Sequence, residues 1–224
     1  MVQRRTRIVF LGDSVTAGYG LASAAASSFV SRLTASDPTA ELITSALEGI
    51  DTAYALKRFH RLVTAHDPEW VVILLGLNDA VPSGQRAPIA PPSYESHLLS
   101  LVDRVVALSA RPVLVTPNPR FVARPSPGAE ASGWCAGRDL MAPYAAALVN
   151  AAKRSGYPWI DVRSRFLAAS NLAELLPDGV HPGAAGHELI ATILAAELPC
   201  FWGRPAAATP AAQTSAQAVL DRSF

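Results

Sequence analysis

Apolar positions along this chain come in two rhythms. Short runs without alternation, such as Val71-Val72-Ile73-Leu74-Leu75, are separated by longer stretches where apolar residues recur at three- and four-residue spacing. The runs predict strands over 7–11, 41–46, 70–75, 112–116 and 159–162. The periodic stretches predict helices over 29–35, 54–65, 98–109, 141–154 and 184–197, the last bracketed by Pro182 and Pro199. Leu56, Phe59 and Val63 mark one buried helix face, and Leu189, Ile193 and Leu194 another. Strands alternating with helices predict a parallel sheet covered on both faces, and the unbroken run at 71–75 suits a central strand. With right-handed crossovers the five strands make a three-layer α/β/α sandwich, a flavodoxin-like five-stranded parallel sheet.

The 224 residues suit one domain, predicted over 1–202, with a flexible alanine-rich tail over 203–224. That tail also reads as an arm for a partner subunit, which would make a homo-oligomer. Two connections, 79–93 and 117–137, are long for this architecture and follow strand ends, where open α/β sheets bind ligands. As lids they bring Arg86, Arg120, Arg124 and Trp134 to a pocket; as solvated loops they bring none of them.

Charge and composition narrow the field. A formal net charge of +1 gives no footing for nucleic acid or for an acidic membrane surface. Half the residues are hydrophobic, but much of that is alanine. Only four apolar residues, Ile8 to Leu11, follow the N-terminal arginines. That is too few for a signal-peptide core or an integral membrane segment, so a cytoplasmic protein is expected. Cys135 and Cys200 have no metal-ligand spacing and read as two free thiols. No His, Cys, Asp and Glu cluster has such spacing either, so no metal is expected.

Candidate chemistry gathers at the strand ends. Ser14 follows the first strand in "FLGDSVTAGYG", Gly49 the second in "SALEGIDT" and Asn78 the third in "LLGLNDA". Asp178 and His181 stand in "PDGVHPGAAGHEL", before the last helix. In a parallel sheet the first three ends open on one edge. A serine hydroxyl needs a base to take its proton, and the base needs a fixed tautomer. Asp178 and His181, three residues apart, lie side by side in a helix-like turn, so the carboxylate can hold one ring nitrogen while the other faces Ser14. The Ser14 and Gly49 N–H groups and the Asn78 amide supply three donors for an oxyanion, with glycine allowing close backbone approach.

Each stretch has an ordinary alternative when taken alone. Gly12-Asp13-Ser14 is turn-prone, Asp178 can be a helix cap before Pro182, Gly49 a turn glycine and Asn78 an Asx turn. His60, His66, His97 and His187 are expected on helix surfaces. A G-x-S-x-G elbow, a P-loop and a dinucleotide-binding fingerprint are all incomplete around Ser14.

In their order the four stretches resemble the SGNH (GDSL) hydrolases, especially the small thioesterase/lysophospholipase-like and arylesterase-like members, over residues 8 to about 195. The resemblance implies the same sandwich, hydrolysis of carboxylic esters or thioesters of a small-molecule substrate, and no cofactor. It implies Ser14 as nucleophile, His181 as base, Asp178 as its partner, and Ser14, Gly49 and Asn78 as oxyanion hole. The chain departs from the family in reading Thr44-Ser45-Ala46-Leu47-Glu48 where an asparagine usually precedes the glycine. It also has Leu77 before Asn78, which with Trp134 is placed at the substrate pocket. A small domain with no added cap favours short acyl chains. Acyl transfer to a sugar or alcohol, and acyl or anion binding without turnover, use the same groups.

Overall fold

The structure, a computed structural model, describes residues 5–36, 40–85, 87–122 and 137–198. Arg86, Arg124, Trp134, Cys135, Cys200 and the tail over 203–224 lie outside the described residues.

Five strands form one parallel sheet: β1 (Thr6–Gly12), β2 (Ala40–Ala46), β3 (Trp70–Leu74), β4 (Arg111–Val115) and, after the short antiparallel pair β5 (Phe121–Val122) and β6 (Arg138–Asp139), β7 (Trp159–Ile160). Their order is β2-β1-β3-β4-β7. Along the chain, α1 (Ser14–Ala17), α2 (Ala24–Ser27) and α3 (Phe29–Ser36) follow β1, while α4 (Thr52–Lys57) and α5 (Phe59–Leu62) follow β2. α6 (Pro91–Ala107) follows β3 and α7 (Ala142–Ser155) follows β6. α8 (Val162–Leu167), α9 (Leu172–Leu175) and α10 (Ala184–Glu197) follow β7. α2, α3, α8, α9 and α10 pack among themselves, as do α4, α6 and α7, giving two helical layers around the sheet. Among the described residues no helix is long and apolar enough to cross a membrane.

The apolar run of β3 is buried along its whole length, as a strand covered on both faces requires. Register then sets where chemistry emerges. Gly12 pairs with both Ala46 and Leu74, so β1, β2 and β3 end level and the residues after them share one edge.

The elements differ from expectation where local chemistry intervenes. α6 opens at Pro91, seven residues before the expected start at 98, because Pro91 and Pro92 fill first-turn positions that need no N–H. The single helix expected over 54–65 is three pieces, α4, α5 and a 3₁₀ turn at Thr64–His66. β7 stops after two residues because the Asp161 carboxylate takes the Ser164 N–H and starts α8. The long 79–93 connection folds back on itself. Its Ile89 N–H donates to Asp79 O at 2.8 Å, and the Tyr144 hydroxyl donates to Ile89 O at 2.7 Å.

Candidate active site

Ser14 stands where β1 ends. Asp13 caps α1 by accepting the Val15 N–H at 3.0 Å, which leaves Ser14 as the first helical residue, with an N–H that has no acceptor within the helix. Gly12 is forced by close packing. A Cβ there would lie 1.9 Å from the Thr16 hydroxyl oxygen, so only glycine lets the first turn of α1 fold against the strand end.

The expected partners are assembled. The Ser14 Oγ lies 3.2 Å from His181 Nε2, and His181 Nδ1 lies 2.7 Å from Asp178 Oδ2. The turn that joins Asp178 to His181 is not helical. It is an Asx turn in which Asp178 Oδ1 accepts the Val180 N–H at 2.8 Å and the His181 N–H at 2.6 Å. Burial would raise the Asp178 carboxyl, but the hydrogen bonds from the ring and backbone of His181 and from Val180 outweigh it and hold the group below the ordinary carboxylate range. The Tyr19 ring covers one face of His181, with centroids 4.5 Å apart.

The loop carrying this pair is held from the end of β4. Asn118, 1% exposed, donates its amide to Val180 O at 2.9 Å, and the Phe121 N–H donates to Gly179 O at 2.9 Å. Asn118 in "TPNPR" was missed in the sequence, although it follows the fourth strand just as Ser14, Gly49 and Asn78 follow the first three. Arg120, two residues on, sends its guanidinium to Leu77 O at 3.3 Å. Burial lowers that guanidinium, and the charges of Asp13 and Asp178 oppose the shift.

Asn78 and Gly49 meet through one carbonyl. The Asn78 amide donates to Ile50 O at 3.0 Å, directly after Gly49, and reaches Asp13 Oδ2 at 3.4 Å, directly before Ser14. Gly49 has a left-handed φ of 74°, and a Cβ there would meet nothing in the protein, so the turn's conformation by itself favours glycine. Leu77, expected at the pocket, is 1% exposed and belongs to the core.

Beneath these groups are two sealed carboxylates, Asp13 and Asp79, each 0% exposed. Burial raises Asp13 to about 7, and the charge of Asp79 adds to it. Burial likewise raises Asp79 to about 6 against its hydrogen bonds from Thr52. Thr52 donates both its hydroxyl and its N–H to Asp79, the N–H at 3.2 Å to Oδ2. The Thr52 hydroxyl oxygen also lies 2.8 Å from His97 Nδ1. His97 and Asn78 both line a cavity of about 520 Å³. Of the histidines expected on helix surfaces, His97 is therefore at a cavity wall and His187 is fully buried. Among the described residues no cluster of His, Cys, Asp and Glu could hold a metal ion.

A model of the GDSL-like Lipase/Acylhydrolase family matches residues 10–189. The Thioesterase 1/protease 1/lysophospholipase L1 of Escherichia coli (strain K12) is 29% identical over 108 residues, 48% of this chain and 49% of that protein. The chain thus spans about half the length of the curated relatives it matches. Among solved structures, the alpha/beta hydrolase enzyme LAE5 from the metagenome of Lake Arreo, Spain, is similar at 27% identity and a TM-score of 0.68, over 87% of this chain and 95% of that one. The lipase/acylhydrolase from Enterococcus faecalis is similar at 25% identity and a TM-score of 0.68, over 86% and 95%.

Proposed function

The chain belongs to the GDSL-like lipase/acylhydrolase family, and from that premise we propose that it hydrolyses carboxylic esters of short acyl groups through an acyl-enzyme on Ser14. The observation that carries this reading is the unbroken line of hydrogen bonds from Asp178 through His181 to Ser14. His181 Nε2 takes the Ser14 proton as Oγ attacks the ester carbonyl, and Asp178, held ionised, stabilises the imidazolium. The oxyanion is met by the free N–H of Ser14, the N–H of Gly49 and the Asn78 amide. Asn78 is anchored at Ile50 O, and its contact to Asp13 is long at 3.4 Å, so that second hydrogen is the one a substrate oxygen captures. Collapse of the intermediate passes the proton from His181 to the departing alcohol. A water, deprotonated by His181, then releases the acid and restores Ser14.

The test is hydrolysis of p-nitrophenyl esters from acetate to decanoate, with Ser14→Ala as the blank. The Escherichia coli relative's name includes a thioesterase, so an acyl thioester belongs in the same assay. Activity should vanish in the blank and be greatest on short chains. Asn78→Ala should lower kcat by roughly 10²–10³, the range for losing one oxyanion donor. Turnover undiminished in Ser14→Ala would sink the mechanism, and undiminished kcat in Asn78→Ala the oxyanion assignment.

A further inference from the structure

The cavity beside Asn78 contains neither His181 nor Tyr19 among its lining residues. Neither Ser14 nor Gly49 lines it, so it adjoins the reacting groups through Asn78 alone, and Asn78 points to which half of an ester it takes. His181 must hand its proton to the leaving alcohol, so the alcohol departs on the His181 side. The acyl group then lies across the oxyanion hole, on the side of Asn78. Much of the wall there is apolar, from Ala53, Val81, Pro88 and Ile89, as an acyl chain requires.

One polar group on the wall is set in a single state. Asp79, buried and ionised at pH 8, can only accept hydrogen bonds, and Thr52 donates its one hydroxyl proton to it. The Thr52 oxygen has no second proton to give. Its 2.8 Å contact with His97 must therefore be a donation from His97 Nδ1–H. In the neutral ring this leaves Nε2 as a bare acceptor, and Nε2 has no hydrogen-bond partner among the described residues. An acceptor fixed by a buried Asp–Thr pair discriminates well. It rewards a donor on the substrate and leaves a plain alkyl chain with a polar group it cannot satisfy.

We propose that His97 is a specificity-determining residue, whose Nε2 accepts a hydrogen bond from a hydroxyl on the acyl chain, so that the substrates are esters of short hydroxy acids. This rests on the ester-hydrolase reading and adds the class of acid to it. The test compares acid release at pH 8 from ethyl butanoate and from racemic ethyl 2- and 3-hydroxybutanoate. In the wild type, kcat/KM should be at least about tenfold higher for one hydroxylated ester than for the plain one, of the order a single new hydrogen bond supplies. His97→Asn places an amide nitrogen where Nδ1 was, keeps the donation to Thr52 and removes Nε2. It should bring the hydroxylated-to-plain ratio down to near one, and His97→Phe should do the same.

Equal kcat/KM on plain and hydroxylated esters in the wild type would overturn the inference while leaving ester hydrolysis intact. An equal fall on all esters in His97→Asn, with the ratio kept, would overturn it too, since His97 would then merely support the site. Release no faster than in Ser14→Ala on every ester would instead defeat the ester-hydrolase reading and this inference with it. The wild-type comparison needs no variant, so the outcome does not depend on whether His97→Asn folds.

Discussion

Asp178 and the pair Asp13 and Asp79 lie at the same edge of the sheet, yet their surroundings push them in opposite directions. The Asp178 side chain is 53% exposed and receives the His181 ring and two backbone N–H groups, which hold it ionised. Asp13 and Asp79 are 0% exposed, and burial raises them to about 7 and about 6. The difference suits the proposed reaction, in which Asp178 must be charged whenever His181 takes a proton and is therefore best left partly in water. Asp13 and Asp79 act by position, fixing Val15 and Thr52, and burial makes that position rigid at a cost in stability.

The largest way to break this comparison is to neutralise the charged member. Asp178→Asn keeps an oxygen for the backbone N–H groups but turns an amide towards His181 Nδ1, favouring the wrong tautomer. A fall in kcat of roughly 10⁴ is expected, as for loss of charge in a serine–histidine–aspartate triad. The measurement is kcat on p-nitrophenyl acetate, against the Ser14→Ala blank. A loss of less than about tenfold would mean that His181 does not depend on Asp178.

The next largest effect comes from the same substitution at the buried acid. The folded state raises Asp13 to about 7 from an ordinary 3.8, so folding favours the protonated form. Its contribution to stability is full below pH 4 and is lost as pH rises to 7. Above that, the cost is of order 4 kcal/mol. Asp13→Asn removes the cost, so its Tm should exceed that of the wild type at pH 8 and the gain should vanish at pH 4. Activity should move the other way. The new amide still offers an oxygen to Val15 but sets its NH₂ against the Asn78 amide, and kcat should fall by up to the 10²–10³ of a lost oxyanion donor. Differential scanning calorimetry with kcat at pH 8 checks both, and a Tm unchanged or lowered at pH 8 would refute the charge cost.

The chain's own pattern disclosed the strands and the candidate reacting groups more fully than the surroundings of those groups. All five sheet strands lie within one or two residues of the expected runs, and β3 was the plainest of them because a strand buried on both faces must be apolar throughout. Ser14, Asp178 and His181 were legible because turn residues and a short spacing name them directly. Residues that act through a contact far along the chain were not. Asn118 reaches Val180 from 62 residues away, and Thr52 reaches Asp79 across 27, with no local signature for either. The cavity depends on Ile89 folding back to Asp79, which no periodicity records. His187 shows the same limit. A histidine in a helical stretch can face water or the core, and the choice is made by α3, on the far side of the sequence.

His187 also gives the smallest test, because it sets a buried base beside the buried acids and should show the opposite sign. Its Nδ1 accepts the Phe29 N–H at 3.2 Å, and its ring stacks on Phe29 with centroids 5.9 Å apart. Nε2 is buried without a partner among the described residues. Burial, helped by the charge of Arg32, lowers the imidazole to about 4 from 6.5. A base lowered by folding contributes its full stability above pH 6.5 and loses it as pH falls towards 4, whereas the two buried acids gain over that span. At pH 5 the loss from His187 is of order 2 kcal/mol, or roughly 4–8 °C in Tm for a domain of this size. His187→Asn keeps an oxygen for Phe29 and removes the titration. Its Tm should be lower than wild type at pH 7, where the stacked ring is missed, with the gap narrowing by that amount at pH 5. A gap of the same size at both pH values would mean that His187 titrates in the folded protein as it does in the unfolded chain. Burial would then act on the acids at this edge without acting on the base behind it.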